Sequence, residues 1–328
     1  MRALVMTAPG GAEHSQIREV GVPHPGPGEV AVDVAYAGLN FVDVMARRGD
    51  AGYTAEWPYR PGKEVSGTVR EVGEGVTGLA VGDRVVAAPV GAGLAEVAIA
   101  DAALTVPLPN GVSLREAAAV PLGLATAVLL LTDAGRFEAG DTVLVHSAGG
   151  GIGQAVAGLV PLLGGGRLIG TVGRPGKAAA ATASGYDHAF ARDEALSEAV
   201  RAATGGRGVD LVLDPLGTEA LDLDLAVAAP GARIVLFGNA GGGAVADLPP
   251  LGRLMAGNLS VTGFSHRGLA ATAPERLARA IRRVLDLLAG GGLELPVTEL
   301  PGLAAVPAAH DAMEARQATG KYVVRVAG

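Results

Sequence analysis

The chain's strongest chemical signal is the segment Thr142-Val-Leu-Val-His-Ser-Ala-Gly-Gly-Gly-Ile-Gly-Gln154. An apolar strand runs into glycines and then opens a helix. The core pattern is Ala148-x-Gly150-x-x-Gly153, with Ala148 in place of the first glycine of the usual dinucleotide fingerprint. Gly150 and Gly151 would let the backbone approach a pyrophosphate, and Gly153 would let the helix pack close to the strand. The helix N-terminus, with Ile152 in its first turn, would offer N–H groups and positive dipole to the phosphates. A ligand-free turn is the plainer alternative in a chain with 51 glycines. The strand–turn–helix context favours the dinucleotide site.

The coenzyme's identity is a question of charge. An NAD site places an acid about 20 residues downstream to bind the ribose 2′-hydroxyl. Here the second strand ends Ile169-Gly-Thr-Val-Gly-Arg174, and the first acid after the fingerprint is Asp187. Arg174 and Lys177 stand at the tip instead, with Arg192 further along. A carboxylate would repel a 2′-phosphate, whereas these cations attract it. The expected cofactor is NADPH.

These residues need a scaffold, and composition bounds it. A chain of 328 residues fits two domains. Apolar residues make up 49% and aromatics 3%, so the core must be built mainly from Ala, Val and Leu. The net charge of −7 argues against nucleic acid or an anionic membrane as partner. There is no cysteine, which excludes disulfides, thiolate metal sites and a Cys nucleophile. The first residues lack the long apolar stretch of a signal peptide. The longest apolar run, Ala117 to Leu131, is broken by Pro121 and short for a membrane span. A cytoplasmic protein is expected.

Residues 1 to about 110 alternate in short stretches such as Val30–Tyr36 and Gly67–Val72, separated by Gly/Pro turns. Ser113 with Glu116 reads as a capping box. From about 120 to 260 strands alternate with helices. The strands are Thr142–His146, Arg167–Val172, Val209–Asp214, Ala232–Phe237 and Leu259–Phe264. The helices are Ile152–Leu163, Lys177–Ala183, Ala195–Ala203 and Glu219–Ala228, with Pro161 expected to end the first early. This rhythm predicts an α/β fold with a doubly wound parallel sheet. A helix over Pro274–Ala289 and a strand over Tyr322–Val326 follow, and that strand could pair back onto the β-rich first domain.

The chain resembles the quinone oxidoreductase branch, zeta-crystallin among it, of the medium-chain dehydrogenase/reductase superfamily. The matching segments include Gly38-Leu-Asn-Phe-Val-Asp43, Pro61-Gly-Lys-Glu-Val-Ser-Gly67, Val81-Gly-Asp-Arg-Val85, Gly123-Leu-Ala-Thr-Ala127, the fingerprint, Asp214-Pro-Leu-Gly217, Leu236-Phe-Gly-Asn-Ala240 and Thr319-Gly-Lys321. Their order and spacing are specific. The resemblance implies a GroES-like catalytic domain over 1–120 with 266–328, a Rossmann NADPH-binding domain over 121–265, and an active site in the cleft between them. It also implies a homodimer, with Ala232–Phe237 and Leu259–Phe264 as the likeliest pairing edge by analogy.

Zinc-dependent relatives use a Cys and a Gly-His-Glu where this chain has Asn40 and Gly62-Lys63-Glu64, so no catalytic zinc of that kind is expected. A reductase of this type moves hydride to a quinone or conjugated enone while the protein stabilises the developing oxyanion. Asn40 is the first candidate beside the nicotinamide, able to donate to a carbonyl oxygen. Its structural alternative is a cap for the next helix. Asp43 would orient that loop, and Tyr53 would be a donor lining the substrate site. By the family pattern, Thr126, Phe237, Gly238, Asn239 and Lys321 join the cofactor contacts. The family tyrosine two residues beyond the Asp is Met45 here, and the one near the 2′-phosphate is Arg192. Tyr59, Trp57, His266 and Arg267 are weaker candidates. Two other readings stay open. One is a trans-acting enoyl reductase of acyl thioesters, with Arg47, Arg48 and Arg60 as a basic rim for a carrier. The other is a non-catalytic NADPH-binding protein.

Overall fold

The computed structural model describes residues 1–54, 56–193, 195–217, 220–242 and 249–327. The chain forms two compact units, Met1–Thr126 with His266–Gly328, and Ala127–Ser265.

The first unit is β-rich. Its main sheet runs in the order Val297–Leu300, Lys321–Arg325, Glu29–Gly38, Val65–Val72, Arg84–Ala87, Thr105–Pro107, with Val97–Asp101 also paired to Glu29–Gly38. The strand Lys321–Arg325 pairs antiparallel with Glu29–Gly38, Val323 opposite Gly38 and Arg325 opposite Tyr36. Period-two alternation turns Val30, Val32 and Val34 inward, onto Val65, Val69, Val85 and Val324. Each such side chain contributes roughly 1.5–3 kcal/mol when fully buried. The helix Phe41–Arg48 follows the long strand and ends on Gly49 in the left-handed conformation. The helix Pro274–Ala289 forms as its periodicity requires, burying Leu277, Ile281, Val284 and Leu285.

The second unit carries six parallel strands, ordered His188–Ala191, Arg167–Val172, Thr142–Val145, Val209–Asp214, Ala228–Leu236, Ser260–Gly263. The order reverses between Thr142–Val145 and Val209–Asp214, and ligands of open α/β sheets bind beyond the carboxyl ends at such a switch point. The edge strand His188–Ala191 was not foreseen. It is four residues long, and none of its residues is fully buried, so it leaves no apolar run to read. The helix after the fingerprint spans Gly151–Leu162 and continues through Pro161 rather than stopping before it. A proline in the last turn sacrifices only one late hydrogen bond. The helix expected from Glu219 is seen over Leu221–Val227, and Glu219 itself lies outside the described residues. Among the described residues, no helix is long and apolar enough to cross a membrane.

Candidate active site

The turn after Thr142–Val145 has the form that the glycine spacing predicts. Gly150 caps the helix Gly151–Leu162 in an extended conformation, and the Gln154 N–H donates to the Gly150 carbonyl at 2.9 Å. The amides of Gly151, Ile152 and Gly153 precede that bond and have no partner within the helix. Gly153 is sterically obligatory: a Cβ there would lie 2.4 Å from the Ala148 carbonyl oxygen. Ala148, fully buried, anchors the turn by donating its N–H to the Thr171 carbonyl at 2.9 Å. Ser147 sits at φ +60, a left-handed conformation unusual outside glycine.

Three cations gather at the strand ends beside this turn. Arg174 caps the short Pro175–Lys177 turn that follows Arg167–Val172. Burial, and then the neighbouring Arg174 charge, hold the Lys177 ammonium below its usual pKa. Arg192 follows His188–Ala191, and its Nη1 lies 3.5 Å from the Ser147 hydroxyl. On the other side of the switch point, Phe237 donates its N–H to the Asp214 carbonyl at 2.9 Å. Gly238 packs against the 215–217 turn so closely that a Cβ on it would meet the Pro215 carbonyl oxygen at 2.7 Å. The Asn239 side chain lies against Gly217.

A group absent from the expectations lies directly beneath. His146, Asp214 and Asp224 are essentially unexposed, at 1%, 0% and 0%. His146 Nε2 meets Asp224 Oδ1 at 2.7 Å, and its Nδ1 meets the Thr171 hydroxyl at 2.8 Å. In the sequence His146 and Asp214 each close an otherwise apolar strand, while Asp224 lies within a helix and nothing local marks it.

In the first unit, Asn40 opens the helix Phe41–Arg48 as the capping alternative predicts, its carbonyl accepting the Asp43 N–H at 3.0 Å. Its side chain does something else. Asn40 Nδ2 donates to Glu64 Oε1 at 2.9 Å and makes a longer 3.4 Å bond to the Gly38 carbonyl. Its Oδ1 accepts from Lys321 Nζ at 2.8 Å. Lys321 also donates to the Leu39 carbonyl at 2.9 Å and is ion-paired with Glu64. The other Glu64 oxygen accepts the N–H groups of Leu122 and Gly123 at 2.8 and 3.0 Å. No local pattern in the sequence marks Glu64 as a buried acid, because its partner is 257 residues away.

Asp43 is fully buried and accepts the N–H groups of Asn40 and Gly62 at 3.2 and 3.0 Å. Burial raises its pKa against those two bonds and the Lys63 charge. Tyr53 is half-buried in the loop after that helix. Thr126 is 4% exposed, and its hydroxyl is buried without a hydrogen-bond partner. Tyr59 also has a buried, unpartnered hydroxyl, and burial followed by the Asp43 charge pushes it up to about 12. His266 bonds the Pro121 carbonyl at 3.0 Å, and burial holds its imidazole below the usual pKa. Arg47 cannot join a basic rim: its side chain is fully buried, ion-paired with Asp311 and Glu314 of the helix Val306–Glu314.

Comparison with known proteins agrees with this architecture. Residues 26–110 match the alcohol dehydrogenase GroES-like domain, and residues 151–286 match the zinc-binding dehydrogenase family. A probable quinone oxidoreductase of Schizosaccharomyces pombe is 33% identical over 92% of this chain and 90% of its own length. The structure of Escherichia coli quinone oxidoreductase complexed with NADPH is 31% identical, with a TM-score of 0.89 over 99% of this chain and 100% of that one. A pikromycin polyketide synthase component of Streptomyces venezuelae is 36% identical over 97% of this chain, which spans only 8% of that protein. The chain is an oxidoreductase of the medium-chain dehydrogenase/reductase superfamily and belongs to its quinone oxidoreductase branch.

Proposed function

We propose that this oxidoreductase is an NADPH-dependent reductase of quinones or conjugated enones that works without a metal. The observation that carries the reading is the turn around Gly150, where a bare helix N-terminus stands at the sheet's switch point with Arg174, Lys177 and Arg192 beside it. The fit is chemical as well as spatial. A Cβ on Gly149 would meet nothing within 4 Å, and one on Gly150 would meet only the Ser147 carbonyl oxygen, so backbone amides are open to a diphosphate. Arg174, Lys177 and Arg192 suit a 2′-phosphate, since Arg174 stands at the end of the second strand, where an NAD site places a carboxylate. The orphaned Thr126 hydroxyl is a donor in want of an acceptor. The relative solved with NADPH supports the same coenzyme.

When bound, NADPH supplies a hydride. The protein's part is to orient the acceptor and stabilise the oxygen that gains charge. Asn40 would do this by yielding its 3.4 Å bond to Gly38 while Glu64 and Lys321 keep the amide fixed. Tyr53 would line the acceptor site, and Asp43 would fix the Asn40 loop to Gly62.

Purified protein mixed with NADPH or NADH and a panel of quinones, small enones and acyl thioesters tests the reading by loss of nicotinamide absorbance. Turnover with quinones or enones is expected. The likeness to a polyketide synthase segment favours one second reading, reduction of enoyl thioesters, and activity confined to thioesters would select it. Replacing Arg174, Lys177 and Arg192 together with Ala is expected to weaken NADPH by about tenfold or more while leaving NADH nearly unchanged, since charge-assisted bonds contribute about 1.5–3 kcal/mol each. Equal losses for both coenzymes would refute the phosphate assignment. Among the described residues, the strand Ser260–Gly263 is the last in its sheet, whereas Ala228–Leu236, the other expected pairing edge, is paired on both sides. Light scattering is expected to give twice the 32.5 kDa chain mass, and a single-chain mass would remove the homodimer.

A further inference from the structure

We propose that His146, Asp224 and Asp214 are positioning residues for the coenzyme turn, and that one buried proton on the Asp214–Asp224 pair holds that turn in its binding form. Losing this proton on the alkaline side would weaken NADPH. The proposal rests on reading the Gly150 turn as the NADPH site.

The geometry ties three loops to one polar knot. His146 directly precedes the strained Ser147 and the glycine turn. Through Nδ1 it grips the Thr171 hydroxyl at 2.8 Å, and the Thr171 carbonyl holds the Ala148 N–H at 2.9 Å. Asp214 Oδ1 accepts the N–H groups of Leu216 and Gly217 at 2.6 and 3.2 Å, shaping the turn on which Gly238 and Asn239 pack. Asp224, from the helix Leu221–Val227, fixes the imidazole between them. The first two loops carry residues assigned above to the coenzyme, and the third supports two more, Gly238 and Asn239.

The charge does not balance without a proton. Even a doubly protonated imidazole leaves two carboxylates with one uncompensated negative charge, fully buried. Asp214 Oδ2 and Asp224 Oδ2 are both buried with no hydrogen-bond partner. A proton on one carboxyl supplies the missing donor and removes the excess charge. The three residues also offer ligand atoms within 4.8 Å of one another, the spacing of a metal site. However, both imidazole nitrogens are already engaged at hydrogen-bond distance, which favours the proton.

Burial, and then the Asp224 charge, push Asp214 up to about 7, against the pull of His146 and the two N–H groups. The other neighbouring elements bring no charge to it among the described residues. Arg167–Val172 contributes the Thr171 hydroxyl. Arg233 of Ala228–Leu236 pairs with Asp141, which precedes Thr142–Val145, at the far end of the sheet. Arg192 reaches Ser147. Because the folded pKa is raised, the folded state keeps a proton that the unfolded chain has released. Stability from this group is therefore lost as pH rises from the usual carboxylate range through about 7. The charge that then appears lies under the proposed diphosphate site and repels it.

The test is NADPH titration by calorimetry from about pH 6 to about pH 9 on wild type, Asp214→Asn and Asp224→Asn, with infrared spectra of the coenzyme-free proteins. Asp222→Asn, an exposed neighbour, is the control. Wild type and the control are expected to lose affinity through neutrality by up to about tenfold per pH unit more than Asp214→Asn, whose amide mimics the protonated acid. The infrared band of a buried neutral carboxyl should be present in wild type at low pH, fade above neutrality, and be absent from Asp214→Asn. In Asp224→Asn, with the like charge removed, the band should fade at lower pH. Parallel pH profiles for wild type and Asp214→Asn would overturn the proposal. So would absence of the band, or a divalent cation at one per chain that Asp214→Asn loses. If wild type bound no NADPH at any pH, the Gly150 reading would fall, and the infrared band would still decide the proton.

Discussion

Replacing Lys321 with methionine is expected to cost about 3 kcal/mol or more of stability, the penalty for leaving one partner of a buried ion pair unpaired. Lys321 is 4% exposed and Glu64 is fully buried, so no solvent screens the pair. Without the ammonium, Glu64 keeps three donors, from Asn40, Leu122 and Gly123, but no opposite charge within its bonding shell. The Asn40 Oδ1 and the Leu39 carbonyl each lose a donor as well. Chemical denaturation checks the number, and it also checks a more specific consequence. The double variant Glu64→Gln with Lys321→Met removes both charges and is expected to recover part of the loss, because the one amide oxygen, placed where Oε2 now sits, can still accept both backbone N–H groups. A loss under about 1 kcal/mol for the single variant would mean that the network is better solvated than its burial indicates. Turnover gives a second readout. With Asn40 released from Lys321, kcat is expected to fall more than coenzyme affinity does.

Gly153→Val is expected to abolish most NADPH binding, by about a hundredfold, because it acts on the backbone rather than on a removable contact. The first added carbon would lie 2.4 Å from the Ala148 carbonyl oxygen and 2.7 Å from its carbonyl carbon. No rotamer relieves a clash made by Cβ itself, so the start of the helix Gly151–Leu162 must move away from the sheet. The amides proposed to receive the diphosphate move with it. Overpacking of this kind costs typically about 1–3 kcal/mol, so the variant should fold but melt earlier. Calorimetry with NADPH and a thermal melt separate the two effects. Gly149→Ala is the matched comparison, since its Cβ meets nothing within 4 Å, and it should bind far more tightly than Gly153→Val. Similar affinities in both variants would remove the diphosphate from this turn.

Local pattern in the chain alone determined the fold class, the parallel sheet and most of its elements. The strands Arg167–Val172 and Val209–Asp214 and the helix Pro274–Ala289 appear at the expected residues, because continuous apolar runs and helical periodicity are properties of neighbouring residues. The glycine spacing likewise marks the turn, since Gly153 answers a steric demand made by Ala148, five residues away. Tertiary structure decided what distance in sequence conceals. It buries Arg47, expected on a surface rim, between acids of the helix Val306–Glu314. It joins Lys321 to Glu64 across 257 residues and His146 to Asp224 across 78. A buried polar side chain is tolerated only where the fold delivers its partner, and that partner can come from any strand that the topology brings alongside.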